Sequence, residues 1–175
     1  MIHFDRQIVV GIALDLSTQH HTDGRRYIDI VKDGLVDFAT KLGLNCGLYV
    51  AHPDRHEMPR QQGESVAGVF SYMEPHPFKA TDALRQATEM IAAQEGEEKF
   101  VIYITDRYRS LRKNQYDKTL MMSKGNNYGC NFLFFGIGDK CEDLKAFEGD
   151  CVKTYQVDDP AQVAEIINQV IIIGV

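Results

Sequence analysis

Three short runs constrain this chain most. Gln7-Ile-Val-Val-Gly-Ile-Ala-Leu14, Lys99-Phe-Val-Ile-Tyr-Ile-Thr105 and Asn131-Phe-Leu-Phe-Phe-Gly-Ile137 are almost unbroken stretches of β-branched, aromatic and other apolar residues. A strand with one wet face alternates apolar with polar side chains, whereas a strand apolar at nearly every position is covered on both faces. Helices packed on both sides of a parallel sheet supply that cover. The intervening sequence offers such helices. Tyr27, Ile28, Val31, Leu35, Phe38, Ala39 and Leu42 recur at helical spacing before Gly43, and Ala83, Leu84, Ala87, Met90 and Ile91 do so behind Thr81 as a cap. Asn114–Tyr128 and Cys141–Phe147 read as further helical pieces. Asp159-Pro-Ala-Gln162 opens a last helix with an inner stripe of Val163, Ile166, Ile167 and Val170.

Cys46–Ala51 and Cys151–Val157 complete the set of parallel strands, and Asp15–Gly24 and His52–Glu64 read as loops. Ser65–Ser71 follows Cys46–Ala51 with only a loop between them, which predicts an antiparallel pair at the sheet edge. The expected architecture is α/β: a doubly wound, mostly parallel six-stranded sheet with one antiparallel edge strand and helices on both faces. With 175 residues, 44% of them hydrophobic, the chain suffices for one domain, spanning 1–175, with its own core.

Charge and composition narrow the function. A net charge of −6 disfavours nucleic-acid binding, which needs a basic surface. No run approaches the ~18 apolar residues of a membrane span. The start, Met-Ile-His-Phe-Asp-Arg-Gln, lacks the basic head and long apolar core of a signal peptide, so no membrane attachment and a cytoplasmic location are expected. Cys46, Cys130, Cys141 and Cys151 form no CxxC pair and are expected to stay reduced.

In a doubly wound sheet, sites form where the central strands end. Asp15 follows the first apolar run and Asp106 the second, and Thr81, at a helix start, belongs to the same edge. Each residue alone has an ordinary explanation, as a turn former or a helix cap. Together with Ser17 and Gln19 they make an all-oxygen set of the kind Mg²⁺ or Mn²⁺ prefers. His20, His21, His52 and His56 read as exposed loop residues near that edge, and Arg107-Tyr-Arg-Ser-Leu-Arg-Lys113 as a solvated loop. The tail Ile171-Ile-Ile-Gly-Val175 must either pack back on the sheet or dock on another chain.

These segments resemble a von Willebrand factor A-type domain over nearly the whole chain. Asp15-Leu-Ser17-Thr-Gln19 resembles that family's Asp-x-Ser-x-Ser metal-ion-dependent adhesion site, with Gln19 in place of the second serine. Lys79–Ala87 resembles the segment carrying its threonine, and Phe100–Asp106 its Thr-Asp-Gly strand, with Arg107 in place of glycine. The resemblance implies a metal-dependent protein-binding module. Asp15, Ser17, Gln19, Thr81 and Asp106 would hold Mg²⁺ or Mn²⁺ and leave a position for an Asp or Glu of a protein partner. Two alternatives remain open: a metal-free scaffold module for complex assembly, and a Mg²⁺-dependent phosphohydrolase with Asp15 as nucleophile. The enzyme reading lacks the second carboxylate that would act as general acid, because Ser17 stands at that position.

Overall fold

The computed structural model describes residues 7–17, 19–42, 47–52, 55–57, 80–96, 98–106, 129–138, 144–145 and 147–174, without side chains for 47–52, 55–57, 80–83 and 86. In chain order these form β1 (Ile8–Asp15), β2 (His21–Thr22), β3 (Arg25–Arg26), α1 (Tyr27–Leu42), β4 (Gly47–His52) and β5 (Arg55–Glu57). Then follow α2 (Ala80–Ala92), β6 (Glu98–Thr105), β7 (Cys130–Ile137), β8 (Val152–Val157) and α3 (Ala161–Ile167), which runs on into a π-helical segment, Asn168–Ile173.

The main sheet has the strand order β5-β4-β1-β6-β7-β8. All neighbours are parallel except β4 and β5. The mostly parallel α/β architecture read from the sequence is therefore the one observed. Strand β1 lies between β4 and β6 and is buried at all eight positions. Its alternate residues feed two separate cores. Ile8, Val10, Ile12 and Leu14 join Phe100, Ile102 and Ile104 of β6 against the buried face of α1 and against α3. Val9 and Ala13 join Val101 and Tyr103 against Leu84, Ala87 and Ile91 of α2. Because both faces are filled, the uninterrupted apolar runs are explained strand by strand.

Two close approaches set the helix positions. A Cβ at Gly11 would lie 2.5 Å from Ile91 Cγ1, so glycine lets α2 settle directly on β1. A Cβ at Gly34 would lie 2.5 Å from Ala164 Cβ, where α1 meets α3. Helix α3 is opened as its sequence predicts: Asp159 Oδ1 accepts from the Ala161 N–H, and Gln162 Oε1 accepts from the Asp159 N–H. The tail packs back, with Ile171 fully buried and Ile172 against the core, whereas Ile173 is exposed.

Four local expectations are corrected. The segment Asp15–Gly24 is not all loop: β1 runs through Asp15, and β2 and β3 form a small antiparallel hairpin. Asp23 and Gly24, both at positive φ, make its two-residue turn, which Asp-Gly favours. The antiparallel partner of β4 is Arg55–Glu57, inside the stretch read as a loop from His52 to Glu64. Three residues flanked by proline and charge carry too little periodicity to be recognised as a strand. Ser65–Ser71, expected in that place, lies outside the described residues, as do Asn114–Tyr128 and Arg107. Helix α2 begins at Ala80, so Thr81 belongs to its first turn instead of preceding it. The fourth correction, at His20, belongs to the site.

Candidate functional site

The sheet register places the two aspartates side by side. Asp15 pairs with Thr105, and Asp106 is the next residue on that neighbouring strand. Both carboxylates sit where central parallel strands end, and both residues are buried, at 1% and 3% exposure. A buried carboxylate must find hydrogen-bond donors, and each has its own set.

Asp15 is held from β6. The Tyr103 hydroxyl donates to Asp15 Oδ2 at 2.7 Å and the Thr105 hydroxyl donates to the same oxygen at 2.9 Å. Strand geometry explains the pairing: Tyr103 and Thr105 are two residues apart and so project from one face, opposite Ala13 and Asp15 in the parallel register. Tyr103 is itself fully buried, its ring edge-on to Phe134 at 5.6 Å.

Asp106 is held from the loop after β1. The Ser17 N–H donates to Oδ1 at 3.0 Å and to Oδ2 at 3.2 Å, and the Ser17 hydroxyl donates to Oδ2 at 2.8 Å. His20 Nδ1 lies 2.8 Å from Oδ2 and 3.3 Å from Ser17 Oγ. His20 is thus not a free loop residue. Its carbonyl accepts from the Tyr27 N–H at 2.9 Å, across the base of the β2–β3 hairpin, and its ring lies 5.6 Å from that of Tyr27. The hairpin turns the chain back so that His20 faces Asp106.

The other candidates are placed as follows. Gln19 is exposed. Thr81 lies ten residues before Ile91, about 15 Å along a helix axis. Ile91 packs at Gly11, four residues or roughly 13 Å from Asp15 along β1. The backbone of Thr81 therefore sits level with the edge where Asp15 emerges. His52 and His56 occupy β4 and β5, in register with Arg55 and Ala51 respectively. Among the described residues, no three His, Cys, Asp or Glu side chains cluster as a metal group would need. Any cation held here would therefore depend on hydroxyl or amide oxygens as well as on the aspartates.

A carboxylate beside the hairpin shows what a local cation does. Arg26 donates to both oxygens of Asp29, Nε at 2.7 Å and Nη2 at 3.0 Å. That guanidinium holds the Asp29 carboxyl below the usual carboxylate value, against an opposing effect of burial.

The sequence matches no known family and no curated protein. Solved structures are more informative. The PilB minor pilin from Streptococcus sanguinis aligns with 97% of this chain at a TM-score of 0.65 and 10% identity. A von Willebrand factor type A structure from Catenulispora acidiphila aligns with 93% of the chain at a TM-score of 0.62 and 13% identity. The chain has a von Willebrand factor A-like fold. An aerotolerance-related membrane protein from Bacteroides fragilis is also similar, with a TM-score of 0.60, 15% identity and 93% of this chain covered. This chain spans 61% of the pilin and 41% of the Catenulispora protein, but 96% of the Bacteroides chain. No helix among the described residues is long and apolar enough to cross a membrane.

Tyr103, Thr105 and His20 are the site residues that sequence reasoning missed as partners of the aspartates. A signal for Tyr103 existed: in an otherwise apolar run, Tyr103 and Thr105 put two hydroxyls on one face beside a strand that ends in Asp15. The signal for His20 was the Asp-Gly turn that follows it.

Proposed function

We propose that this chain is a protein-interaction module whose carboxyl-edge site holds Mg²⁺ or Mn²⁺ and presents it to an Asp or Glu of a protein partner. The observation that carries this reading is the pair of buried carboxylates, Asp15 and Asp106, at the ends of adjacent central strands of a von Willebrand factor A-like sheet. The donor chemistry fits such an ion. Asp15, Asp106 and Ser17 offer oxygens at one edge, and Thr81 and Gln19 belong to the same end of the sheet. The cation, when bound, would supply an electrophilic position that attracts an incoming carboxylate. The chain's own part is to hold the two carboxylates rigid and to keep their surroundings dry. Asp15 is fixed by Tyr103 and Thr105, and Asp106 by Ser17. Ser17 is not set up as a nucleophile: its hydroxyl donates to Asp106, and serine and aspartate both meet the same nitrogen of His20, so no relay runs through the ring.

A second reading, a metal-free scaffold, is favoured by a specific feature. Each carboxylate already accepts hydrogen bonds from protein donors. Thermal unfolding with and without millimolar Mg²⁺ or Mn²⁺, on wild type and Asp106→Asn, separates the two. A cation at ~100 times its dissociation constant stabilises the fold by about 2.7 kcal/mol. For a chain of this size that raises the midpoint by about 5–10 °C. The expected result is a rise in wild type that Asp106→Asn abolishes. No rise in wild type sinks the cation reading and leaves the scaffold.

A further inference from the structure

Strand β8 is an end strand of the main sheet, and its outer edge is the less guarded of the two. The other end strand, β5, has three residues, whereas β8 has six, Val152-Lys-Thr-Tyr-Gln-Val157, with no proline and a single charge. The ladder to β7 fixes which backbone groups face outward. The Phe132 N–H donates to the Cys151 carbonyl at 2.7 Å, and the Gly138 N–H donates to the Val157 carbonyl at 2.8 Å. Backbone groups alternate along a parallel strand, so those of Lys153, Tyr155 and Val157 point at β7 and those of Val152, Thr154 and Gln156 point away. Val152 is already closed off, because its N–H and carbonyl exchange hydrogen bonds with Gly149 at 3.3 and 3.1 Å. Thr154 and Gln156 each keep an outward N–H and carbonyl with no backbone partner among the described residues.

We propose that β8 pairs antiparallel with β8 of a second copy of this chain, about a two-fold axis through Tyr155, joining the two main sheets into one. This register satisfies both open residues: Thr154 of each copy exchanges both backbone bonds with Gln156 of the other. An axis through Thr154 would set Gln156 against the occupied Val152, and an axis through Gln156 would set Thr154 against Asp158, beyond the end of the strand. Charge agrees with the antiparallel sense. Lys153 near the start of β8 is exposed, as are Asp158 and Asp159 just after it, so each Lys153 comes to lie beside the acidic end of the other copy. Parallel pairing would set lysine against lysine and acid against acid. At the axis the two Tyr155 side chains form an aromatic cross-strand pair, each ring stacked on Phe135 of its own chain at 4.9 Å. The pairing is independent of the cation reading, since β7 separates β8 from β6, the strand that leads to Asp106.

Sedimentation velocity of the whole chain over a hundredfold range of concentration tests this. A short strand pair belongs to the weak, transient class of contacts, so a monomer–dimer equilibrium that shifts with concentration is expected. Lys153→Glu, a change at an exposed position, should weaken dimerisation by about tenfold, and adding Asp158→Lys should restore it. Tyr155→Cys reads the register. Directly opposed antiparallel residues that share no hydrogen bonds have Cα atoms about 4.5 Å apart, within the reach of a disulfide. Under oxidised glutathione this variant should form a covalent dimer. In Lys153→Cys the two new thiols are offset by four residues, about 14 Å along the strands, and should crosslink no more than wild type does. Circular dichroism checks that the variants fold. A chain that stays monomeric at every concentration overturns the proposal and leaves the edge to a foreign strand. A dimer that is indifferent to Lys153→Glu, or that Tyr155→Cys does not trap, forms through another surface and overturns it as well.

Discussion

Removing a single oxygen atom in Tyr103→Phe tests the account of how Asp15 is held. The Tyr103 ring is fully buried and keeps its edge-on contact with Phe134 in the variant, so little apolar contact changes. What is lost is a 2.7 Å hydrogen bond to a carboxylate that is 1% exposed. Hydrogen bonds to charged groups contribute about 1.5–3 kcal/mol, and a buried acceptor left short of donors cannot turn to water instead. Thr105 still donates to the same oxygen at 2.9 Å, which places the expected loss near the middle of that range, about 2 kcal/mol. For 175 residues this lowers the melting midpoint by about 4–8 °C. Urea unfolding at pH 7 gives the free energy directly. The companion variant Thr105→Val closes a double-mutant cycle. Because both hydroxyls serve one oxygen, the two losses should be non-additive by more than about 0.5 kcal/mol. A loss below about 0.5 kcal/mol in Tyr103→Phe, or strict additivity in the cycle, would refute the idea that β6 holds the carboxylate.

Two further outcomes follow from the packing and from the Arg26–Asp29 pair. In Gly34→Ala the new Cβ meets Ala164 Cβ at 2.5 Å, and neither helix backbone yields easily. Overpacking costs about 1–3 kcal/mol, and the gain in helix propensity returns about 1, so net destabilisation is expected, with partial rescue when Ala164→Gly is added. Denaturant titration of wild type and the two variants checks this, and an unchanged or higher midpoint in Gly34→Ala would contradict the close helix contact. For Asp29 the folded carboxyl titrates below its unfolded value, so the stabilisation is present above the unfolded pKa and is lost as pH falls through the folded one. The pair is partly exposed, so Arg26→Gln should cost only about 0.2–1 kcal/mol at pH 7. That difference should vanish in acid below the lowered pKa, and unfolding curves across pH in which it persists would refute the sign.

How much of this was legible in the sequence depended on length scale. The central strands and α1 were plain, because full burial leaves a chemical mark at every residue, and Tyr27–Leu42 shows its helical stripe without a gap. The edge strand Arg55–Glu57 left no such mark, since its place is given by pairing with β4. Asp15 and Asp106 could be placed at one edge from strand ends alone. Which donors reach them could not, because that depends on register: Ala13 must lie opposite Tyr103, and not one residue away, for the hydroxyl to meet Asp15. His20 depended on a two-residue turn at Asp23-Gly24, a local conformation with consequences several residues upstream.

The helical end of the chain shows a further economy. Val163, Ile167 and Ile171 are spaced four apart, and all three are fully buried. In an α-helix four residues turn slightly more than one full circle, so a stripe at that spacing drifts around the axis. The wider π-helical segment from Asn168 turns less per residue and winds the drift back, so Ile171 faces the same core as Val163. The widened turn works as a phase correction that lets one helix follow the sheet for its whole length. Since Ile171, Ile172 and Ile173 are identical, a shift of the last turn by one residue would exchange one isoleucine for the next at the core. The axial position of this end is therefore fixed by the widened turn and by the left-handed Gly174 that closes it, and not by which side chain fills the hole.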